Sequence, residues 1–192
     1  MEKYRIKMIN IDPKIVHSAL PEIAVPVLEK MTYTTCEELG EMFANLLKNA
    51  SIENGVNKAH PNFVNIISSI SRDEAIMLED MQNTMTSTPF LFVRRTYPSG
   101  HWNTPITCFT KYKNDSRLSF PNNVEFYFDN LEKLGLFYHS DANLNESYDQ
   151  LESQIKNEMD RINENKGESY AFYHRHIGIT SIGKMFLKAV FD

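Results

Sequence analysis

The sequence predicts a mainly α fold of the α+β kind, a helical scaffold carrying a small β-hairpin and a second strand pair. Three observations predict it. Apolar residues recur at three- and four-residue steps through most of the chain. The period shortens to two only in "FLFVRRTY", "TPITCFTKY", "LFYH" and "YAFYHRHIGI". Turn signals separate these blocks, as at Asn54 and Gly55 and in the connection "PSGHWN".

The first segment, residues 1–33, carries Pro13, Pro21 and Pro26. Proline at that density excludes one long helix and predicts extended or one-turn pieces. Ile15, Val16, Ile23, Val25 and Val27 are expected to lie across a core as a strap.

A helical scaffold follows over residues 34–84. "TCEELGEMFANLLKNAS" places a Thr35–Glu38 capping box before Leu39, Met42, Phe43, Leu46, Leu47 and Ala50, predicting a helix over Thr35–Ala50. In "HPNFVNIISSISRDEAIMLEDM" Pro61 suits a first helical turn, and Phe63, Ile66, Ile67 and Ile70 share one face. Ser71 then caps a new helix, with Glu74 at capping-box spacing and Ala75, Leu78 and Met81 inward. Helices over Pro61–Ile70 and Ser71–Met81 are thus expected to meet at a tight packing corner.

Residues 85–140 are expected to hold the hairpin, with "PSGHWN" as its turn, then a helix over Asn122–Leu134 ended by Gly135, then the strand "LFYH". Residues 141–169 form an acidic arm with eight acids against three bases, a net charge of −5. In it Leu144, Tyr148, Leu151, Ile155, Met159 and Ile162 make a narrow apolar seam. A seam this narrow needs its own body or a second copy to pack on. Residues 170–192 supply a return strand and a closing helix with Ile182, Phe186, Leu187 and Val190 inward. The 192 residues are expected to form a single domain.

The whole chain has net charge −5 and a pI near 5.7, so no dominant phosphate-neutralising surface is expected. Cys36 and Cys108 are too few for a disulfide framework or a zinc quartet, and a cytoplasmic location follows. No apolar run is long enough to span a bilayer, and the opening "MEKYRIKMIN" lacks the apolar core of a signal peptide.

Each candidate site also has a packing role open to it. His174 and His176 lie two apart on one strand face, without a third ligand at sensible spacing, so no metal and no cofactor is expected. Cys36 stands at a helix start but lacks a positioned base, Cys108 reads as an apolar strand residue, and no catalytic residue is assigned. Glu37, Glu38, Glu41, Asp73 and Glu74 suit helix N-termini. Arg94, Arg95, Lys111, Lys113 and Arg117, interleaved with Tyr97, Trp102 and Tyr112, are the candidate nucleic-acid surface, because stacked bases and phosphates need those groups together. A solvated hairpin with packed aromatics is the preferred alternative. The arm's seam is the candidate for self-association.

The pieces "EELGEMFANLLKNA", "HPNFVNIISSISRDEAIMLEDM", "NLEKLGLF" and "ITSIGKMFLKAV" together resemble the bacterial abortive infection alpha family, over most of residues 20–140 and the final twenty. The resemblance implies a place in defence against phage, with no molecular activity attached. Longer members carry an N-terminal extension, so the chain is expected to be a short member or a fragment. The last pieces also resemble a winged helix, with Asn122–Leu134 in the recognition position, Leu136–His139 with Tyr170–Ile177 as the wing, and the acidic arm as a long helical insertion at its tip. Two departures stand out. The Phe90–Tyr112 hairpin replaces the usual second helix, and Glu125, Asp129 and Glu132 oppose only Lys133 on the would-be reading helix. Because the chain carries no catalytic motif and offers the hairpin and arm as contact surfaces, a non-enzymatic module that meets a protein partner or a second copy is expected. A nucleic-acid-binding regulator is the first alternative, and an enzyme using His101, His139 or His174 beside a carboxylate is the second.

Overall fold

The computed structural model describes residues 2–84, 87–141, 148–162 and 167–192, with 157, 158 and 160–162 described by backbone only. Among these residues the chain forms eight α-helices and one antiparallel sheet of four strands.

Helix α3 (Glu37–Ala50) lies at the centre of the helical body and packs on α1 (Glu2–Met8), α2 (Pro21–Tyr33), α4 (Asn62–Ser68), α5 (Arg72–Thr84) and α8 (Ser181–Phe191). Met42, Phe43, Leu46, Leu47 and Ala50 are buried along it, as their spacing predicts. Two polar residues one turn apart also face inward. Asn45 Nδ2 donates to the Val190 carbonyl at 2.7 Å, and Asn49 Nδ2 to the Ala189 carbonyl at 2.9 Å. These amides satisfy carbonyls that the end of α8 leaves without helical partners.

The N-terminal segment departs from expectation. Residues 21–33 are a 13-residue helix, not extended pieces. Pro21 occupies its first position, where no N–H is required, and Pro26 removes only one bond near the start. Ile23 and Val27, four apart, share the buried face, whereas Val16 and Val25 are exposed and Ile15 is half-buried. The capping box at Thr35 does not form either. Cys36 is the N-cap and makes no side-chain cap bond, and the Glu38 carboxylate that the box needs instead meets Arg72 Nε at 2.9 Å and accepts from the Cys36 thiol at 3.4 Å.

The corner between α4 and α5 forms as predicted. Glu74 Oε2 accepts from the Ser71 backbone N–H at 2.6 Å, and the Glu74 N–H donates to Ser71 Oγ at 3.3 Å. Phe63, Ile66, Ile67, Ile70, Ala75, Leu78 and Met81 enter one core.

The sheet order is β2 (Trp102–Phe109), β1 (Thr88–Thr96), β4 (Ser169–Ile179), β3 (Phe137–Ser140). The hairpin joins β1 to β2, and β4 pairs with β1 from Thr88↔Ile177 to Thr96↔Ser169. The two strands expected as a wing are therefore an inner and an edge strand of one sheet that includes the hairpin. Helix α6 (Val124–Lys133) precedes β3 and ends at Gly135, whose φ of 76° is a conformation glycine adopts without steric cost.

Alternation along β1 sends residues to two different cores. Phe90 joins the helical body. Leu91 and Val93 face the other way and, with Phe109, bury Leu151, Ile155 and Met159 of α7 (Tyr148–Ile162). The arm thus packs on its own sheet.

Candidate functional site

Past Phe90, the sheet face opposite α7 is not covered by helix α6. Phe92 and Arg94 of β1, Tyr173 and Arg175 of β4 and Trp102 of β2 emerge there through alternation and register. They interlock as a ladder. The Arg94 guanidinium carbon lies 4.6 Å from the Trp102 ring centroid and 4.8 Å from that of Tyr173. Tyr173 stacks on Phe92 at 4.7 Å with 4° between ring planes, and the Arg175 guanidinium lies 5.3 Å from Phe92. Trp102, at the outer end, is 60% exposed. Each cation sits on the electron-rich face of a ring, so the rungs hold one another upright.

At its lower end the ladder meets a cavity of about 330 Å³ between the sheet and α6. Phe90 and Phe128 line it, with Thr107, Cys108, Glu125, Asp129, His139 and Arg175. Thr107 Oγ1 donates to Glu125 Oε2 at 2.5 Å, and Arg175 Nε donates to Asp141 Oδ1 at 2.8 Å. His139 Nδ1 and Glu132 Oε2 are 2.9 Å apart. Burial pushes the Cys108 thiol up to about 12, with Glu125 adding to the effect, so it stays protonated at neutral pH. Cys36 is also shifted upward by burial, which opposes thiolate chemistry there.

The five basic residues of the candidate nucleic-acid surface are not brought together on one face. Arg94 stands in the ladder, while Arg95 points to the opposite face, 4.8 Å from the Tyr97 ring centroid and 3.7 Å from Glu168. Lys111 pairs with Asp80, and Arg117 clasps Asp115 at 2.6 Å and reaches Asp80 at 3.4 Å. Lys113 donates to the Asn122 carbonyl. Of the aromatics, Tyr112 is fully buried and donates to Asp80 at 3.0 Å.

Of the seam residues, Tyr148, Leu151, Ile155 and Met159 are buried within the chain. Leu144 and the Ile162 side chain lie outside the described residues. His174 Nε2 meets Glu152 Oε1 at 2.6 Å and stacks on Tyr148, locking α7 to β4. His176 is buried near Tyr138, and His101 is exposed. No cluster of metal-ligating side chains occurs among the described residues. No helix among them is long and apolar enough to cross a membrane.

Phe92, Tyr173 and Arg175 were not singled out from the sequence. The signal was present in the two-residue spacings 92/94 and 173/175, but only the β1–β4 register shows that they interdigitate.

A structure of an uncharacterized protein from the hydrocarbon-degrading marine bacterium Alcanivorax borkumensis SK2 is similar at 15% identity and a TM-score of 0.40, over 65% of this chain and 88% of that one. A search of curated proteins finds no match. The model of the abortive infection alpha family matches residues 1–190, and the chain belongs to that family.

Proposed function

We propose that the protein is a non-enzymatic interaction module of a bacterial phage-defence system, working in the cytoplasm by docking another protein. Family membership supports the setting. The carrying observation is the ladder of Trp102, Arg94, Tyr173, Phe92 and Arg175, exposed at Trp102 and Arg175 and half-buried between them. Tryptophan, tyrosine and arginine are the residue types that dominate protein interfaces, and rings already held in place lose little entropy on docking. The ladder is preferred to the α7 seam because Tyr148, Leu151, Ile155 and Met159 of the seam are already buried inside the chain.

The test is phage restriction in bacteria expressing the protein in its native gene context. Trp102→Ala/Tyr173→Ala should abolish restriction while circular dichroism and melting show a folded chain. Unchanged restriction by that folded variant would remove the ladder as the working surface.

A further inference from the structure

Resting on the ladder as the docking surface, we infer that its occupant is an extended protein segment of mixed charge, with a carboxylate at one end and an ammonium or guanidinium about four residues away. The surface is bipolar. At the upper end Arg94 has no ion-pair partner among the described residues, and its Nε is buried without a hydrogen bond. A carboxylate placed beside its Nη groups would gain charge-assisted bonds that the described residues do not supply.

At the lower end the cavity offers Glu125 and Asp129, one helical turn apart, over an aromatic floor of Phe90 and Phe128. Glu125 is held by Thr107, whereas Asp129 has no hydrogen bond or ion pair among the described residues. Arg175 at the rim is already matched by Asp141. Carboxylates above an aromatic floor select a cationic side chain with an apolar stem.

The two ends are set by β1. Arg94 and Phe90 are four residues apart, roughly 13 Å at about 3.3 Å per strand residue. An extended segment lying along β1 has the same rise, which fixes the four-residue spacing of its charges. A nucleic-acid strand fits less well. The inner ring faces are occupied by guanidinium groups or by each other, leaving no stacking platform between the rungs, and Glu125, Asp129 and Asp141 would meet its phosphates.

Trp102 is the one tryptophan in the chain, so its emission reports directly on this surface. The probes are a blocked Glu-Thr-Val-Thr-Lys peptide, versions with Glu at both ends and with Lys at both ends, and oligodeoxythymidylate. Saturable change in Trp102 emission is expected for the mixed peptide, with binding about tenfold weaker for each like-charged peptide. Arg94→Ala and Asp129→Asn should each weaken the mixed peptide by about tenfold, a loss of roughly 1.4 kcal/mol. Asp129→Asn is a mild change at the cavity wall and guards against misfolding of the ladder variant. Equal binding of the three peptides, or no binding at millimolar concentration, would overturn the inference. So would preferential binding of the oligonucleotide, which would assign a single-stranded nucleic acid instead. Should the ladder variants lose phage restriction while no peptide binds, the docking surface stands and the mixed-charge occupant falls.

Discussion

The Asp73 carboxylate and the Tyr127 hydroxyl meet at 3.1 Å, joining the first turn of α5 to α6 across 54 residues of sequence. Asp73 also accepts the backbone N–H groups of Ser119 at 2.9 Å and Phe120 at 2.8 Å, and it is 2% exposed. A residue expected only to favour a helix dipole therefore ties down the turn that leads into α6. Because α6 forms one wall of the cavity, this contact sets the lower end of the candidate site.

Replacing Asp73 with Ala should cost roughly 1–3 kcal/mol for each buried donor left unmatched. Tyr127→Phe, which leaves both N–H bonds in place, should cost about 1 kcal/mol. Urea denaturation of the two variants checks the order. Equal stabilities would show that the tether is immaterial.

Acid should unfold the protein through the same groups. Burial alone would raise Asp73, but the Ser119, Phe120 and Tyr127 donors outweigh it and hold its carboxyl below the ordinary value. Burial likewise opposes ionisation of Asp80, where Lys111, Tyr112 and Arg117 win, while Arg117 directly lowers Asp115. Groups depressed on folding stabilise the protein above their unfolded values, near pH 4, and lose that contribution as pH falls through the folded values. Stability should thus be level above about pH 5 and fall steeply below about pH 4, and the fall should be shallower in Asp73→Asn. Thermal melts across pH 2.5–7, run in dilute buffer at about 0.1 M salt, give the comparison.

Ile155 is fully buried between α7 and the sheet, so Ile155→Ala should destabilise the monomer by roughly 2–5 kcal/mol. Melting and sedimentation should be measured together. A variant with unchanged monomer stability but weakened dimerisation would return the seam to a self-association role.

Gly183 lies under the α6–β3 junction, where an added Cβ would sit 2.3 Å from the Leu136 carbonyl oxygen. Gly183→Ala should therefore cost roughly 1–3 kcal/mol by forcing α8 away from that junction. Chemical denaturation measures it. Gly100, whose added Cβ meets nothing within 4 Å but whose φ is 81°, should show only the smaller penalty of its backbone conformation.

Much of this architecture was legible in the chain itself. Helical and strand periods located α3 to α6, the hairpin and α8, and the Ser71–Glu74 box marked the start of α5, because these signals arise from neighbours within one turn or one strand. Signals open to competition failed. The box at Thr35 did not form, its Glu38 meeting Arg72, a residue distant in sequence, and the proline count hid α2 because Pro21 occupies a position where proline is tolerated.

The candidate site was much less visible. Side-chain pattern alone determined that the α7 seam must be covered, but it grouped Arg94 and Arg95 in one surface although strand alternation sends them to opposite faces. Only the tertiary structure decided that the cover is the chain's own β1 and β2, and that Lys111 and Arg117 are neutralised at Asp80. It also brought Arg94 of one strand between Trp102 and Tyr173 of two others. The physical reason is range. Periodicity records what each residue must bury or expose, whereas a ladder built across three strands depends on register, which is set by the whole sheet and the helices that clamp it.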